Sequence, residues 1–200
     1  VGVPMSDEKY YLMNPFTTTA LSSAQNGLNA SDGLVRTAWE KAQISQNFGG
    51  MMALTSNALS SYTSGTTTDR AGTLNGAPNA TYVAAKDTMQ QTLVLAGLGT
   101  GTIKAGDQVT IAGVNRLNVA TRELILDAAG AAVPWTGTVV SDVTISGNAA
   151  TIVVSGAAIF EANGQYNNVD AAPADGAVVT ILGAASTLYQ PNMFFTKQAF

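Results

Sequence analysis

Residues 103–114 have the sequence IKAGDQVTIAGV, in which a turn, a strand and a second turn follow one another. Ala105-Gly106-Asp107 is a turn sequence, because Gly admits a positive φ angle and Asp can close an Asx turn. Val109 and Ile111 then alternate with polar residues, which is the period of a half-buried strand. Ala112-Gly113 ends that strand. The segment predicts a β-rich domain.

Short strand patterns, separated by Gly, Asn, Pro and Asp, continue from about residue 73 to residue 182. The candidate strands are Thr81–Ala84, Thr92–Ala96, Gln108–Ile111, Thr138–Ile145, Thr151–Ser155 and Val178–Leu182. Residues 115–126 suit either a strand or a helix. Tight turns are predicted at Ser146-Gly147-Asn148 and Ala174-Asp175-Gly176. Strands at this spacing favour a small antiparallel barrel or sandwich.

The first third of the chain has a mixed pattern. Residues 9–13 form a short apolar strand that Asn14-Pro15 stops, and Phe16, Ala20 and Ala24 then share one face of a helix, with Thr and Ser on the other. A second helix is predicted after Ser31 or Asp32. Its apolar stripe consists of Val35, Ala38, Trp39 and Ala42.

Residues 43–68 contain no charged side chain, and their second half is rich in Ser, Thr and Gly. The favoured interpretation is a solvated loop and linker. The alternative is an extended arm on a neighbouring subunit, where charges would be costly to desolvate. Either way, the stretch marks a boundary between a mixed segment and a strand-rich one.

The composition of the 200 residues excludes several classes of protein. Only 11% are charged and 46% are hydrophobic, so much of the surface is expected to be covered by neighbours. A net charge of -4 argues against specific nucleic-acid binding, which needs clustered Lys and Arg. No apolar run approaches the roughly 20 residues of a membrane span, and no signal peptide is visible.

The chain contains neither His nor Cys, so it lacks the commonest general base, metal ligands and activated nucleophiles. Carboxylates remain, but most occupy turns or polar strand positions, and we expect no catalytic pair among them. The candidates considered are Asp87, Asp107, Glu123, Asp127, Asp142, Glu161, Asp170 and Asp175. We therefore predict no enzyme activity, and no catalytic, cofactor-binding or metal-binding residues.

Gly97-Leu98-Gly99-Thr100-Gly101 follows an apolar run and partly matches a dinucleotide-binding loop. The third glycine of that motif would fall on Thr102, and a turn and strand follow where the motif needs a helix N-terminus. A hairpin loop is the better interpretation. Trp39 and Trp135 are predicted to be core or interface anchors.

Residues 103–114 closely resemble a signature in the inserted β-domain of the phage P-22-type major coat proteins. Four further segments resemble that family in the same order. They are residues 2–15 (GVPM and YYLMNP), 48–57 (FGGMMALTSN), 166–176 (YNNVDAAPADG) and 189–200 (YQPNMFF through AF). Together these segments are spread along the chain from residue 2 to residue 200, so we predict membership of this coat-protein family.

The resemblance implies an α+β protein: part of a Hong Kong 97-type capsid fold with an inserted antiparallel β-barrel. Residues 1–61 would belong to the shell domain, residues 62–186 to the inserted barrel, and residues 187–200 would return to the shell. Because the chain starts at Val1 and stops within a familiar strand, we expect it to be a fragment of a longer protein.

The resemblance also implies a structural function. Coat subunits of this family form pentamers and hexamers that close into an icosahedral shell, guided by a scaffolding protein around a portal. We expect the protein to be made in the bacterial cytoplasm and to reside in the virion capsid. The family prototype has a long charged loop between its first inserted strands. Here the corresponding stretch, Ala84 to Met89, is short and has only Lys86 and Asp87, so we expect no intercapsomer salt bridges from it.

Two other functions fit parts of the pattern. A β-sandwich binding module of a phage tail, fibre or bacterial adhesin is the main alternative, and it predicts monomers or fibres in place of closed shells. A carboxylate-only glycosidase is the third, and it needs a cleft with two acids roughly 5 to 9.5 Å apart.

Overall fold

The computed structural model describes residues 7–25, 47–48 and 50–197, which form two compact units. One of them, called the barrel unit below, contains Thr63–Leu188. The described residues of the other, the sheet unit, fall within Val3–Tyr62 and Tyr189–Phe200. The chain therefore leaves the sheet unit once, builds the barrel unit without interruption, and returns.

Strands dominate the described residues, and both helices are short. In chain order the elements are β1 (Lys9–Met13), α1 (Pro15–Gln25), β2 (Asn47–Phe48), β3 (Met51–Thr55), β4 (Tyr62–Thr63), β5 (Ala71–Leu74), α2 (Tyr82–Ala85), β6 (Gln90–Ala96), β7 (Thr102–Ile103), β8 (Gln108–Ile111), β9 (Gly137–Val139), β10 (Val143–Thr144), β11 (Ala149–Ser155), β12 (Val178–Ile181), β13 (Leu188–Tyr189) and β14 (Met193–Thr196). Within these ranges no helix is long and apolar enough to cross a bilayer.

Six strands of the barrel unit close into a barrel in the order β11-β6-β5-β12-β8-β9. All six pairings are antiparallel. The longest ladder joins β6 to β11 and runs from Ala149 opposite Ala96 to Ser155 opposite Gln90. The predicted antiparallel barrel is thus confirmed, and the structure selects it over a sandwich.

Alternate residues of the barrel strands fill the interior. Val109 and Ile111 of β8 are both buried, as the alternation in residues 103–114 predicted. Burying one such aliphatic side chain contributes about 1.5–3 kcal/mol. Trp135 is 3% exposed and belongs to the same core, and its indole N–H donates to the Gly156 carbonyl at 2.9 Å. Trp135 is therefore a core anchor, one of the two roles predicted for it.

The sheet unit contains a four-stranded sheet in the order β14-β1-β3-β2. Strand β1 runs parallel to β3 and antiparallel to β14. Helix α1 follows β1 directly, because Asn14 caps it: the Asn14 side-chain oxygen accepts from the Thr17 amide at 2.7 Å. Pro15 suits the first helical position, where no amide donor is required. The predicted strand and the helix after Asn14-Pro15 are confirmed.

The covered side of α1 includes two hydroxyl-bearing residues. Thr18 and Ser22 are buried, whereas Phe16 is 81% exposed. The Thr18 hydroxyl lies 3.3 Å from that of Thr55 on β3, and the Ser22 hydroxyl donates to the Thr19 carbonyl. Small side chains with their hydrogen bonds satisfied allow the helix to lie close to the sheet. The predicted division of α1 into an apolar face and a Thr and Ser face is only partly correct, because Thr19 and Ser23 are exposed together with Phe16 and Ala20. The sequence pattern also does not indicate which face is covered.

Two predicted strands are wrong. Residues 81–84 form α2 with its cap, since the Thr81 hydroxyl accepts from the Ala84 amide at 3.4 Å. Residues 138–145 are divided between β9, which belongs to the barrel, and β10, which pairs with β7. The chain turns away between them at Asp142, whose carboxylate accepts from the Ala105 amide.

The loops differ in how well the sequence predicts them. Residues 146–149 form the predicted tight turn, with φ near +60° at Gly147 and Asn148. The loop at residues 97–101 is not a hairpin, because β6 pairs with β5 and β11 while β7 pairs with β10. Residues 115–126 are neither strand nor helix, but an irregular stretch with isolated bridges such as Leu117–Leu124. Another bridge of this stretch, Arg116–Val169, depends on a partner far along the chain.

The charge-free stretch at residues 43–68 is only partly a solvated linker. It contributes β3 to the sheet unit and β4 to the connection between the units. Ser64 and Thr67 are buried in the barrel unit. The helix predicted after Ser31 or Asp32 lies outside the described residues.

Candidate functional site

The carboxylates considered for catalysis are mostly engaged in structural hydrogen bonds. Asp170 accepts from both the backbone and side-chain nitrogens of Asn115, at 2.7 and 2.8 Å. Asp175 accepts from the Gly76 amide, and Asp127 accepts from two amides of its own turn. Among the described residues, no group of three or more acidic side chains could hold a metal ion. These carboxylates therefore fix loops.

Asp107, from the predicted turn at residues 105–107, is fully buried. Its Oδ2 atom accepts from the backbone amides of Lys104 at 2.9 Å and Gly65 at 3.1 Å. An Asx turn would have used an amide two residues further on, so that prediction is wrong. The carboxylate instead points back across the turn and reaches a segment 42 residues earlier in the chain.

Arg70 is the cationic partner of this buried carboxylate. Its Nη2 atom lies 3.6 Å from Asp107 Oδ1 and donates to the Leu182 carbonyl at 2.9 Å. The side chain of Arg70 is only 13% exposed. A buried carboxylate without a neighbouring cation would be strongly destabilising, so Arg70 makes the burial of Asp107 tolerable.

A second ion pair lies on the surface of the barrel unit. Asp142 accepts from the Ala105 amide at 2.9 Å and from Lys104 Nζ at 2.6 Å. The Ala105 hydrogen bond, followed by that from Lys104, lowers the pKa of Asp142 from its ordinary value. Both interactions favour the charged carboxylate.

The ion pair of Asp142 and Lys104 should contribute to the free energy of unfolding in a pH-dependent way. Because the pKa of Asp142 is lowered in the folded state, its contribution is present above the ordinary Asp pKa of about 3.9 and is lost as the pH falls through the lower folded value. We expect Asp142→Asn to lower the urea midpoint slightly at pH 7, with the difference narrowing below about pH 4. For Lys104→Met, the difference in urea midpoint from the unsubstituted protein should narrow less as the pH falls. The Ala105 amide, which is the larger cause of the lowered Asp142 pKa, remains in that variant. A difference independent of pH would contradict this assignment.

The sheet unit exposes a row of apolar side chains. Leu12 of β1 lies in register with Met193 of β14 and with Leu54 of β3, so the three side chains share one face. Leu54 and Met193 are exposed, as is Met52 next along the same face of β3. Contiguous apolar surface of this kind is typical of contacts with other protein.

The barrel unit exposes apolar side chains on the irregular excursion between β8 and β9. Val119, Leu124 and Leu126 are exposed there. The excursion is held to the barrel, because an Arg122 guanidinium nitrogen donates to the Asn167 carbonyl at 2.6 Å. An ordered loop with exposed apolar residues is suited to a protein contact.

A cleft of about 530 Å³ lies beside this excursion, with Trp135, Leu117 and Ile125 among its lining residues. Its polar lining groups are already bonded: Asn168 accepts from the Ile159 amide and donates to the Ala157 carbonyl. The Arg116 guanidinium likewise donates to the Thr136 carbonyl. The cleft therefore offers apolar walls and little chemistry for a polar ligand.

Sequence analysis identified Asp107 as a turn residue and missed Arg70 altogether. The available signal was weak: Asp69 and Arg70 are the first charged residues after the charge-free stretch at residues 43–68. That position does not by itself show that Arg70 is buried, because most charged residues are exposed. Its partner, however, could not be identified without the fold.

The larger of the two units is built around a closed antiparallel β-barrel, and both units expose apolar side chains. The family model for the P22 coat protein, described as gene protein 5, matches residues 1–200. The chain belongs to this coat-protein family, as its resemblance predicted.

Individual proteins similar to the chain include a curated relative and a solved structure. The chain is 42% identical over 196 residues to the major capsid protein of Acyrthosiphon pisum secondary endosymbiont phage 1, covering 95% of this chain and 46% of that protein. It is also similar to the CUS-3 coat protein I-domain, with 29% identity and a TM-score of 0.38, covering 56% of this chain and 96% of that structure. The chain thus spans about half the length of its curated relative.

Proposed function

We propose that the protein is the major capsid subunit of a tailed bacteriophage or prophage, or a large part of that subunit, and that it self-assembles into an icosahedral shell. Membership of the coat-protein family over all 200 residues supports this most strongly. The apolar surfaces of both units support it physically, because surfaces of this kind are typically covered by other protein.

The finer architecture belongs to the same proposal. Residues 1–61 and 187–200 form part of a Hong Kong 97-type shell domain, and residues 62–186 form its inserted barrel. The division of the chain into compact units at residues 62–63 and 188–189 supports this assignment. So does the six-stranded closed barrel.

The proposed partners are further copies of the protein in pentamers and hexamers, together with scaffolding and portal proteins. The subunit is synthesised in the bacterial cytoplasm, resides in the virion capsid, and binds neither membrane nor specific nucleic acid. It is not an enzyme. The carboxylates of Asp127, Asp170 and Asp175 support a structural role for these residues, because each accepts a hydrogen bond from a backbone amide.

The stretch from Ala84 to Met89 makes no salt bridges between capsomers in this proposal. The Met89 carbonyl accepts from the amides of Gly156 and Ala157, which holds the end of this stretch against the barrel unit. A tail, fibre or adhesin module is not favoured, because the family and the curated relative are coat and capsid proteins.

The proposal is tested by expressing the full-length gene product with its neighbouring reading frames. We expect closed particles of uniform diameter by negative-stain electron microscopy, sedimenting as one large species. A well-folded product that remains monomeric or forms fibres would overturn the proposal. Omitting the reading frame of the scaffolding protein is the matched control: irregular or open assemblies are expected, and an unchanged yield of uniform shells would remove scaffolding protein from the partners.

A further inference from the structure

The barrel unit holds together the two segments by which its chain arrives and departs. The incoming segment is residues 64–70 and the outgoing segment is residues 182–187. The Ser64 amide donates to the Thr187 carbonyl at 3.0 Å, and the Ser186 amide donates to the Gly65 carbonyl at 3.0 Å. The Ser64 hydroxyl also donates to the Ala184 carbonyl at 2.6 Å. The two segments are therefore paired side by side.

The pair formed by Asp107 and Arg70 lies where these segments meet the barrel. The backbone of Asp107 is bonded to a barrel strand, because its carbonyl accepts from the Val139 amide of β9 at 2.8 Å. Its side chain binds the Gly65 amide of the incoming segment. Arg70 completes the connection by donating to the Leu182 carbonyl of the outgoing segment. The two residues of this ion pair thus connect the barrel, the incoming segment, to which Arg70 belongs, and the outgoing segment.

We propose that Asp107 and Arg70 form a clamp that fixes the incoming and outgoing segments to the rim of the barrel. The bonds that the clamp makes to the two segments go to backbone atoms, the Gly65 amide and the Leu182 carbonyl, so it holds the path of the chain itself. Its role is separate from that of the barrel core, which consists of apolar side chains, Trp135 among them. The clamp operates whether or not the protein builds a shell.

Buried ion pairs are weak evidence of stabilisation, because an apolar pair of similar volume would avoid the desolvation of both charges. Asp107 is fully buried and the Arg70 side chain is only 13% exposed. The backbone contacts that this pair makes to the incoming and outgoing segments therefore favour a positional role over simple stabilisation.

The clamp is tested by amide hydrogen exchange in the 200-residue protein and in Asp107→Asn. We expect exchange at Gly65, Thr67 and Ser186 to accelerate at least tenfold, because these amides open locally when the clamp is lost. Exchange at Leu93 and Ile152 in the barrel core should change less than about threefold. Uniform acceleration of core and segments would show that the pair only stabilises the barrel. Unchanged exchange at Ser186 would show that the outgoing segment is held without it.

Two further variants keep the result decisive. Asp170→Asn is the matched control, because Asp170 also accepts from a backbone amide, that of Asn115 in another loop. In this variant we expect faster amide exchange at Asn115 and unchanged exchange at Gly65 and Ser186. If Asp107→Asn fails to fold, Arg70→Lys decides the question. Lys keeps the positive charge but lacks the planar guanidinium group with which Arg70 reaches the Leu182 carbonyl. Local acceleration at Ser186 in Arg70→Lys would support the clamp, and its absence would overturn it.

Discussion

Replacing Ile111 by Ala should lower the free energy of unfolding of the barrel unit by roughly 2 to 5 kcal/mol, because it leaves a cavity in a close-packed core. Ile111 is 1% exposed and lies opposite Val179 of β12, which is also buried. A loss of this size is a large fraction of the total stability of a typical domain, roughly 5–15 kcal/mol. Urea unfolding followed by Trp135 fluorescence, in a Trp39→Phe background, reports on the barrel core directly.

The control for this variant is Val178→Ala. Val178 lies next to Val179 on β12 but points outwards and is 46% exposed, so its truncation should change stability by no more than about 0.5 kcal/mol. Similar losses from Ile111→Ala and Val178→Ala would show that the two faces of the barrel wall are equally covered. That result would contradict the inward orientation of Ile111.

The features that the sequence predicted correctly are those with a local cause. Residues 108–111 alternate between apolar and polar side chains, and burial with a period of two follows from strand geometry alone. Asn14-Pro15 ends β1 and caps α1 for an equally local reason, since an Asn side chain and a Pro ring suit these two positions. Closure of the strands into a barrel has no such local cause, because the strand spacing suited a sandwich equally well.

The features that the sequence missed depend on residues far apart in the chain. Asp107 has the appearance of an ordinary turn residue, and only the fold brings Gly65 and Arg70 to it. The covered face of α1 could not be predicted either. Thr18 is buried and Phe16 is exposed because of what lies beside the helix, which the local sequence does not specify. Residues 81–84 have strand-forming side chains, but the Thr81 hydroxyl caps a helical turn that local propensity does not specify.

Replacing Gly65 by Ala should lower the free energy of unfolding by roughly 3 kcal/mol. The φ angle of Gly65 is not in the positive region, so any cost arises from space and not from backbone strain. A Cβ atom at this position would overlap the carbonyl oxygen of Thr102 and lie 2.9 Å from both Asp107 Oδ2 and Ile103 Cα. Two of these three atoms are backbone, so they cannot move aside as a flexible side chain would.

Gly113→Ala separates the two ways in which Ala can be worse than Gly. Gly113 has a φ angle of +78° and nothing within 4 Å of an added Cβ, so its substitution costs backbone strain alone, about 1 to 2 kcal/mol. If the incoming segment is packed against residues 102–107 as described, Gly65→Ala must lose more stability in urea unfolding than Gly113→Ala. A smaller loss would mean that the incoming segment can lift from the barrel at little cost, and Asp107 could then not be holding it.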